Sequence, residues 1–191
     1  EILKNMEILD YFDSFYKIGK EAKQELKNII IEKQYGKNAI VQDIGNTCRT
    51  LYFVKEGGAR IFYYNKGNDI TEHFAFKNEI IVRAESLFTG QTTTKGIETI
   101  EKTIMFTIDA NALFRLYDDY HNIERLFRLI FENEFVNAIR RIESFQLKTA
   151  TERYIELLNS TDWVQKIPLK HIASYLGITQ VSLSRIRANL M

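Results

Sequence analysis

Cysteine is almost absent from this 191-residue chain: Cys48 stands alone. No disulfide can close within one subunit, and neither an iron-sulfur cluster nor a cysteine-ligated zinc site can be built from one chain. With no base beside it in sequence, Cys48 reads as a small half-buried residue in a turn and not as a reactive thiol. Histidine is scarce too. His73, His121 and His171 fall in three separate regions with no His-x-His pair, which removes the converging ligands a cupin-type metalloenzyme needs. His73 reads as a strand surface residue. Glycine-rich phosphate loops, Gly-x-Ser-x-Gly elbows and His-Glu-x-x-His motifs are all missing. The adjacent Asp118 and Asp119 suit a helix end better than acid–base work, so no enzyme is expected. No run approaches the ~18 apolar residues of a membrane span, and no basic stretch followed by an apolar one opens the chain. No membrane partner is expected, and a cytoplasmic location is. Net charge is also lacking: 26 basic residues against 25 acidic give +1.

What is present is a globular composition, 45% apolar and 27% charged, enough for one or two cores. Ile8 to Ile31 has mainly helical spacing, although Ile29-Ile30-Ile31 can also begin a strand. Short β-forming runs then follow at short intervals: 35–41, 51–55, 60–64, 70–76, 80–82, 96–100 and 103–108. Gly45-Asn46, Gly57-Gly58 and Lys66-Gly67-Asn68-Asp69 punctuate the earlier ones. Such spacing predicts a sandwich or barrel of antiparallel strands. Asp109 is placed to cap a short helix.

From about Ile123 to Leu147 the pattern turns to a long helix. Phe131, Phe135, Ala138, Ile142 and Phe145 recur at helical spacing, and Val136 and Ile139 widen the stripe. A helix of ~25 residues is ~37 Å long, and one packing partner cannot cover so broad an apolar face. Two neighbours are expected, the strand domain and the same helix of a second subunit; the alternative is a monomer whose terminal domain folds back over the stripe. Thr149 and Glu152 have capping-box spacing, which starts a new helix to about Leu158 and puts a hinge at Lys148 and Thr149. Tyr154, Leu157, Leu158, Trp163, Val164, Ile172, Leu176 and Leu183 are the expected core of the terminal unit.

Residues 168–187 predict two short helices at a sharp turn. Pro168, the only proline, suits a first helical turn, and Leu169, Ile172, Ala173 and Leu176 form one apolar face. Gly177 can end that helix and Thr179 can cap the next. Leu183 and Ile186 then face inward, leaving Gln180, Val181, Ser182, Ser184, Arg185 and Arg187 outward. From Trp163 onward there are four basic residues and no acidic one, so the positive charge is local. This face suits DNA: Thr179 and Ser182 at a helix N-terminus suit phosphate oxygens, Gln180 can pair with adenine and Arg185 with guanine. A helical hairpin that merely packs is the plainer alternative.

At this point the chain resembles the Crp/Fnr family of bacterial transcription regulators over essentially its whole length. Tyr35-Gly36-Lys37-Asn38, Gly45 and Leu51-Tyr52-Phe53-Val54-Lys55-Glu56-Gly57 are similar to the family's glycine-punctuated strands, and the long helix lies where the family dimerises. Ile172-Ala173-x-x-Leu176-Gly177-x-Thr179-x-x-x-Leu183-Ser184-Arg185 is similar to its DNA-binding signature. The resemblance implies an α+β fold: an N-terminal antiparallel β-roll of jelly-roll type (residues 1–122), a central dimerisation helix (123–148) and a helix-turn-helix domain (149–191) lacking a C-terminal wing. It implies a sequence-specific regulator, homodimeric, bound to double-stranded DNA, with RNA polymerase as a further partner. Gln180, Val181 and Arg185 would face bases, Thr179 and Ser182 phosphates, with Lys170 among the DNA-binding residues. Val181 stands where many relatives carry glutamate, so the target sequence should differ.

The effector region departs further from the family. Arg83, Glu85, Ser86, Thr92, Thr93 and Thr94 occupy the stretch where relatives grip a cyclic nucleotide, but the phosphate-binding arginine is missing and three threonines offer hydroxyls without charge. Cyclic nucleotide is therefore not the expected effector; the alternatives are another small anion, a purely apolar molecule or no effector at all, and no cofactor is indicated. The competing reading is a β-roll sensor or interaction module that has lost DNA binding.

Overall fold

Alternating apolar residues and turn signals fold into two antiparallel sheets, in a computed structural model that describes residues 6–160 and 163–190. Two helices come first, α1 (Met6–Phe15) and α2 (Lys20–Asn28). The single helical stretch expected from 8 to 31 is thus divided, and strand β1 (Ile30–Tyr35) already begins within it. Three successive β-branched isoleucines favour extended backbone there. The strand expected over 35–41 is broken at Gly36–Asn38, where Asn38 turns to φ 58°, and β2 covers only Ile40–Gln42.

Strands β3 (Thr50–Glu56), β4 (Gly58–Asn65), β5 (Asn68–Phe76) and β6 (Ile80–Ile81) follow, then the short helix α3 (Ala84–Thr89) and strands β7 (Gly96–Thr99) and β8 (Thr103–Asp109). One sheet runs β1-β8-β3-β6 and the other β2-β7-β4-β5. The β4–β5 hairpin closes through Lys66 and Gly67, both at positive φ (51° and 80°). That two-residue geometry matches the strands' right-handed twist, and glycine enters it without strain. Between the sheets lie Tyr52, Val54, Ala59, Ile61, Ala75, Ile97 and Met105. Cys48 belongs to this core and is fully buried, not half-buried as its turn-like surroundings suggested.

Helix α4 (Ala110–Asp119) starts as expected at Asp109, whose carboxylate accepts from the Ala112 amide at 2.8 Å. Helix α5 (His121–Leu147) has two halves. Ile123, Leu126, Phe127 and Ile130 are buried with Phe12, Leu26, Leu51 and Leu113 in the core beneath α1, α2 and α4. Beyond them Phe135, Val136, Ile139, Ile142, Phe145 and Leu147 are exposed, Phe135 at 68% and Leu147 at 80%. The terminal unit reaches only the end of this half-stripe, where the Phe145 ring meets Gly177 and Arg153, and leaves Phe135, Val136, Ile139 and Ile142 exposed.

The last elements are α6 (Ala150–Ser160), a 3-10 turn (Trp163–Lys166), α7 (Leu169–Tyr175) and α8 (Gln180–Leu190). The capping box forms: the Glu152 carboxylate accepts from the Thr149 amide at 2.7 Å, and Thr149 Oγ1 accepts from the Glu152 amide at 3.2 Å. Tyr154, Leu157, Val164, Ile172, Leu176 and Leu183 are buried together, whereas Leu158, expected with them, is exposed at 41%. This core also contains Phe74 and Ile100 from the β-roll. Phe76 of β5 stacks on Trp163 with centroids 4.1 Å apart, Phe74 lies 5.1 Å from Tyr175, and the Thr71 amide donates to Ser174 Oγ at 2.7 Å. The C-terminal part of β5 is therefore covered on both faces, Ala75 within the core between the sheets and Phe74 and Phe76 against the terminal unit.

Candidate nucleic-acid interface

The turn between α7 and α8 is built by backbone chemistry that the sequence specifies. Gly177 sits at φ +70°, its amide donating to Ser174 O and the Ile178 amide to Ala173 O, each at 3.0 Å. This pair of bonds satisfies the last carbonyls of α7 and requires the left-handed conformation glycine permits. Pro168 lies one position earlier than expected, at the N-cap of α7 and not in its first turn; its extended ψ of 133° delivers the chain into the helix. Thr179 caps α8, its Oγ1 accepting from the Ser182 amide at 3.1 Å and lying 2.9 Å from Ser182 Oγ. Leu183 is fully buried and anchors α8 against α7.

Anchoring fixes which residues face outward. Gln180, Arg185 and Arg187 are exposed, and Val181 is 61% exposed. Among the described residues no carboxylate pairs with Arg185. Ser182 is half-buried, and Lys170 is exposed on α7. Thr179 Oγ1 caps the Ser182 amide and is bonded to Ser182 Oγ, so the start of α8 offers an oxyanion the amides that precede Ser182 and two hydroxyls that can reorient from each other. A polar, arginine-bearing strip thus lies open on a helix held rigidly from behind.

The six residues expected around an effector do not converge. Arg83 is buried and turns to Glu72, Nη1 to Oε1 3.0 Å, with Nε 3.4 Å from Thr93 Oγ1. Lys95 binds the other Glu72 oxygen. Burial opposes the Glu72 charge, but the Lys95 hydrogen bond and the Arg83 charge outweigh it and hold its pKa below the usual value. Ser86 is buried apart from this network, accepting from the Cys48 amide at 2.8 Å and donating to Gln91 O at 2.5 Å. Glu85, Thr92 and Thr94 are exposed.

A cavity of about 420 Å³ lies between the β-roll and α5. Ile61, Val82, Phe88, Phe131 and Phe135 give it an apolar lining, with His73 and Glu134 as its polar groups. His73, expected on the surface, is half-buried there, because both faces of β5 are covered. Burial, helped by the nearby Arg141 charge, pushes its pKa down to about 4, so the imidazole is neutral. Burial raises the Glu134 pKa against the hydrogen bonds of Asn133 and Asn137. Among the described residues no cationic side chain lines this cavity.

Comparison with known proteins locates the fold. No protein-family model matches the chain, and no curated protein matches it. Solved structures do. FixK2 from Bradyrhizobium japonicum superposes with a TM-score of 0.72 at 20% identity, over 85% of this chain and 84% of its own. A transcriptional regulator of the Crp/Fnr family from Eubacterium rectale gives 0.72 at 18% identity, over 94% and 87%. The c-di-GMP-responsive regulator CLP of Xanthomonas campestris gives 0.69 at 14%, over 90% and 91%. The arrangement of β-roll, long helix and helix-turn-helix is common to all.

Proposed function

We propose that this chain, whose fold is that of the Crp/Fnr transcription regulators, is a homodimeric DNA-binding regulator governed by an effector taken up at its β-roll. The observation that carries the reading is the open face of α8: Gln180, Val181 and Arg185 exposed together, and no carboxylate among the described residues paired with the arginine. On this reading residues 1–122 sense, 123–148 dimerise and 149–191 bind DNA. Arg185 reads guanine, Gln180 reads adenine and Val181 touches a thymine methyl, while Thr179, Ser182 and Lys170 contact phosphates. Two α8 helices related by the dimer axis reach half-sites ~34 Å apart.

The exposed half of α5 supports the dimer, because an apolar stripe of this length is a subunit interface far more often than a free surface. The cavity under α5 supports an effector of low charge. A cyclic phosphate entering it would lose its hydration without meeting a cation, whereas an apolar molecule with one hydrogen-bonding group fits His73 and Glu134. Rotation of the terminal unit about Lys148 and Thr149 then changes the spacing of the two α8 helices.

Selection of duplexes from a random pool, followed by anisotropy titration at several salt concentrations, tests the reading. A regulator loses affinity steeply with salt and retains a gap between selected and random DNA. Arg185→Ala should cost about 1–3 kcal/mol on the selected duplex and relax one base position. Equal loss on random DNA removes the base-reading role, and absence of the gap leaves the β-roll as a sensor that acts by protein contact.

A further inference from the structure

The helix-turn-helix turn is held by two arginines that its own sequence motif does not contain. Arg141, on α5, lies with its guanidinium carbon 3.7 Å from the Tyr175 ring centroid, and its Nη2 donates to Tyr175 O at 3.1 Å. Arg153, on α6, donates to Leu176 O at 2.8 Å and to Lys148 O. The Phe145 ring lies between them, 5.1 Å from the Arg141 guanidinium and 4.6 Å from that of Arg153. Its edge is so close to the turn that a Cβ on Gly177 would stand 3.0 Å from it. Both carbonyls belong to the C-terminal end of α7, where partial negative charge gathers and a guanidinium binds best. Tyr175 adds an aromatic face to that attraction.

Arg141 also faces the β-roll. It lines a cavity of about 560 Å³ with Tyr63, Thr71 and Glu72 on one side and Ser174, Tyr175 and Gly177 on the other. Burial pushes the Arg141 pKa below its usual value, and Tyr175 and Glu72 oppose that shift, so the guanidinium stays charged. Glu72 is the carboxylate already held by Arg83 and Lys95. The anionic group of β5 is thus bonded to two cations and lines the same cavity as a third, Arg141, which carries the turn of the terminal unit.

We propose that Arg141 is the positioning residue through which the β-roll sets the orientation of α8, with Glu72 as its counter-charge on β5. The inference rests on the regulator reading for its consequence at DNA, but not for the coupling itself. When Arg83 and Lys95 hold Glu72 firmly, Arg141 stays on Tyr175 and the turn is clamped. When rearrangement near α3 or Thr93 loosens that hold, Glu72 draws Arg141 toward the β-roll and the Tyr175 carbonyl is released. Sequence motifs alone miss this coupling because its members lie 34 and 69 residues from one another along the chain, Arg141 from Tyr175 and from Glu72.

The test compares Arg141→Gln with Arg140→Gln, which removes the same charge from an exposed neighbour, and combines each with Glu72→Gln. Trp163 is the only tryptophan and is stacked on Phe76 of β5, so its emission reports the seating of the terminal unit without DNA. Arg141→Gln should shift that emission and reduce the selected-to-random DNA ratio about tenfold, and Arg140→Gln should do neither. Glu72→Gln should alter both readouts when Arg141 is present and neither when it is replaced. Arg141→Lys, which keeps charge but loses the planar stack and fork, should fall between and serves if the glutamine variant does not fold. Wild-type emission and DNA ratio in the Arg141 variants, or an effect of Glu72→Gln that ignores Arg141, would overturn the proposal. Should the wild type select no DNA, the regulator reading fails while Trp163 emission still decides the coupling.

Discussion

Gly177 and His171 show how single residues carry the terminal unit. Gly177 is needed twice, for φ +70° and for the 3.0 Å approach of Phe145. Gly177→Ala should therefore lose about 1–2 kcal/mol for the left-handed backbone, with a further loss if Phe145 cannot move. Thermal unfolding measures it, and Gly177→Asn should lose less, since asparagine tolerates that conformation. His171 lies on α7 with Nδ1 4.0 Å from Asp69, itself bonded to the buried Arg60 at 2.6 Å. Burial, and after it the Arg60 charge, lowers the His171 pKa to about 4, against the opposing pull of Asp69. A histidine depressed on folding binds fewer protons in the native state, so its contribution is complete above pH ~6.5 and is lost as pH falls toward 4. The loss should reach on the order of 2 kcal/mol by pH 5. Melting from pH 7 to 5 should fall less steeply for His171→Gln than for the wild type; equal slopes would show that His171 is not buried neutral.

At the scale of elements, α5 serves two environments with one periodicity. Its first half is buried against α1, α2 and α4, and its second leaves Phe135, Ile139 and Ile142 exposed. Ile142→Glu places a charge in the centre of the expected subunit interface, where burial without a partner is strongly unfavourable. Light scattering should report a monomer with an unchanged melting transition. A dimer that persists would assign the stripe to another partner. Helix α6 depends on its start. Thr149→Ala removes an N-cap worth about 1 kcal/mol, and because Thr149 follows the end of α5, faster amide exchange should be confined to the first turn of α6.

For the whole molecule, the decisive feature is that the helix-turn-helix shares its core with the β-roll. Phe74 is buried and touches both Trp163 and Tyr175. Phe74→Ala should lose about 3–5 kcal/mol and shift Trp163 emission to the red as the terminal unit leaves β5. If only stability fell and the emission stayed, the Phe76–Trp163 stack and the Thr71–Ser174 hydrogen bond would be enough to hold the unit on β5. Docking on β5 leaves α8 exposed, and one strand serves two packing surfaces: His73 lines the cavity under α5, while Thr71 and Phe74 hold α7.

Local chemistry was readable in the chain itself. Left-handed glycine at 177, the Thr149–Glu152 box, the Asp109 and Thr179 caps and the inward face of α8 are short-range effects, decided within a few residues, and the periodicity of α5 foretold an apolar surface broader than one partner covers. Long-range choices were not readable. Whether His73 faced water, whether Leu158 was covered and where Arg83 turned depended on which surface came to rest against β5. The clamp of Arg141 and Arg153 on the end of α7 carries no local signal, because a guanidinium finds its carbonyl only after three elements have packed. Sequence determined the elements and their caps through backbone conformation and side-chain spacing. Tertiary structure decided how charge was partnered, because the cost of burying an ion is settled by neighbours that are distant in the chain.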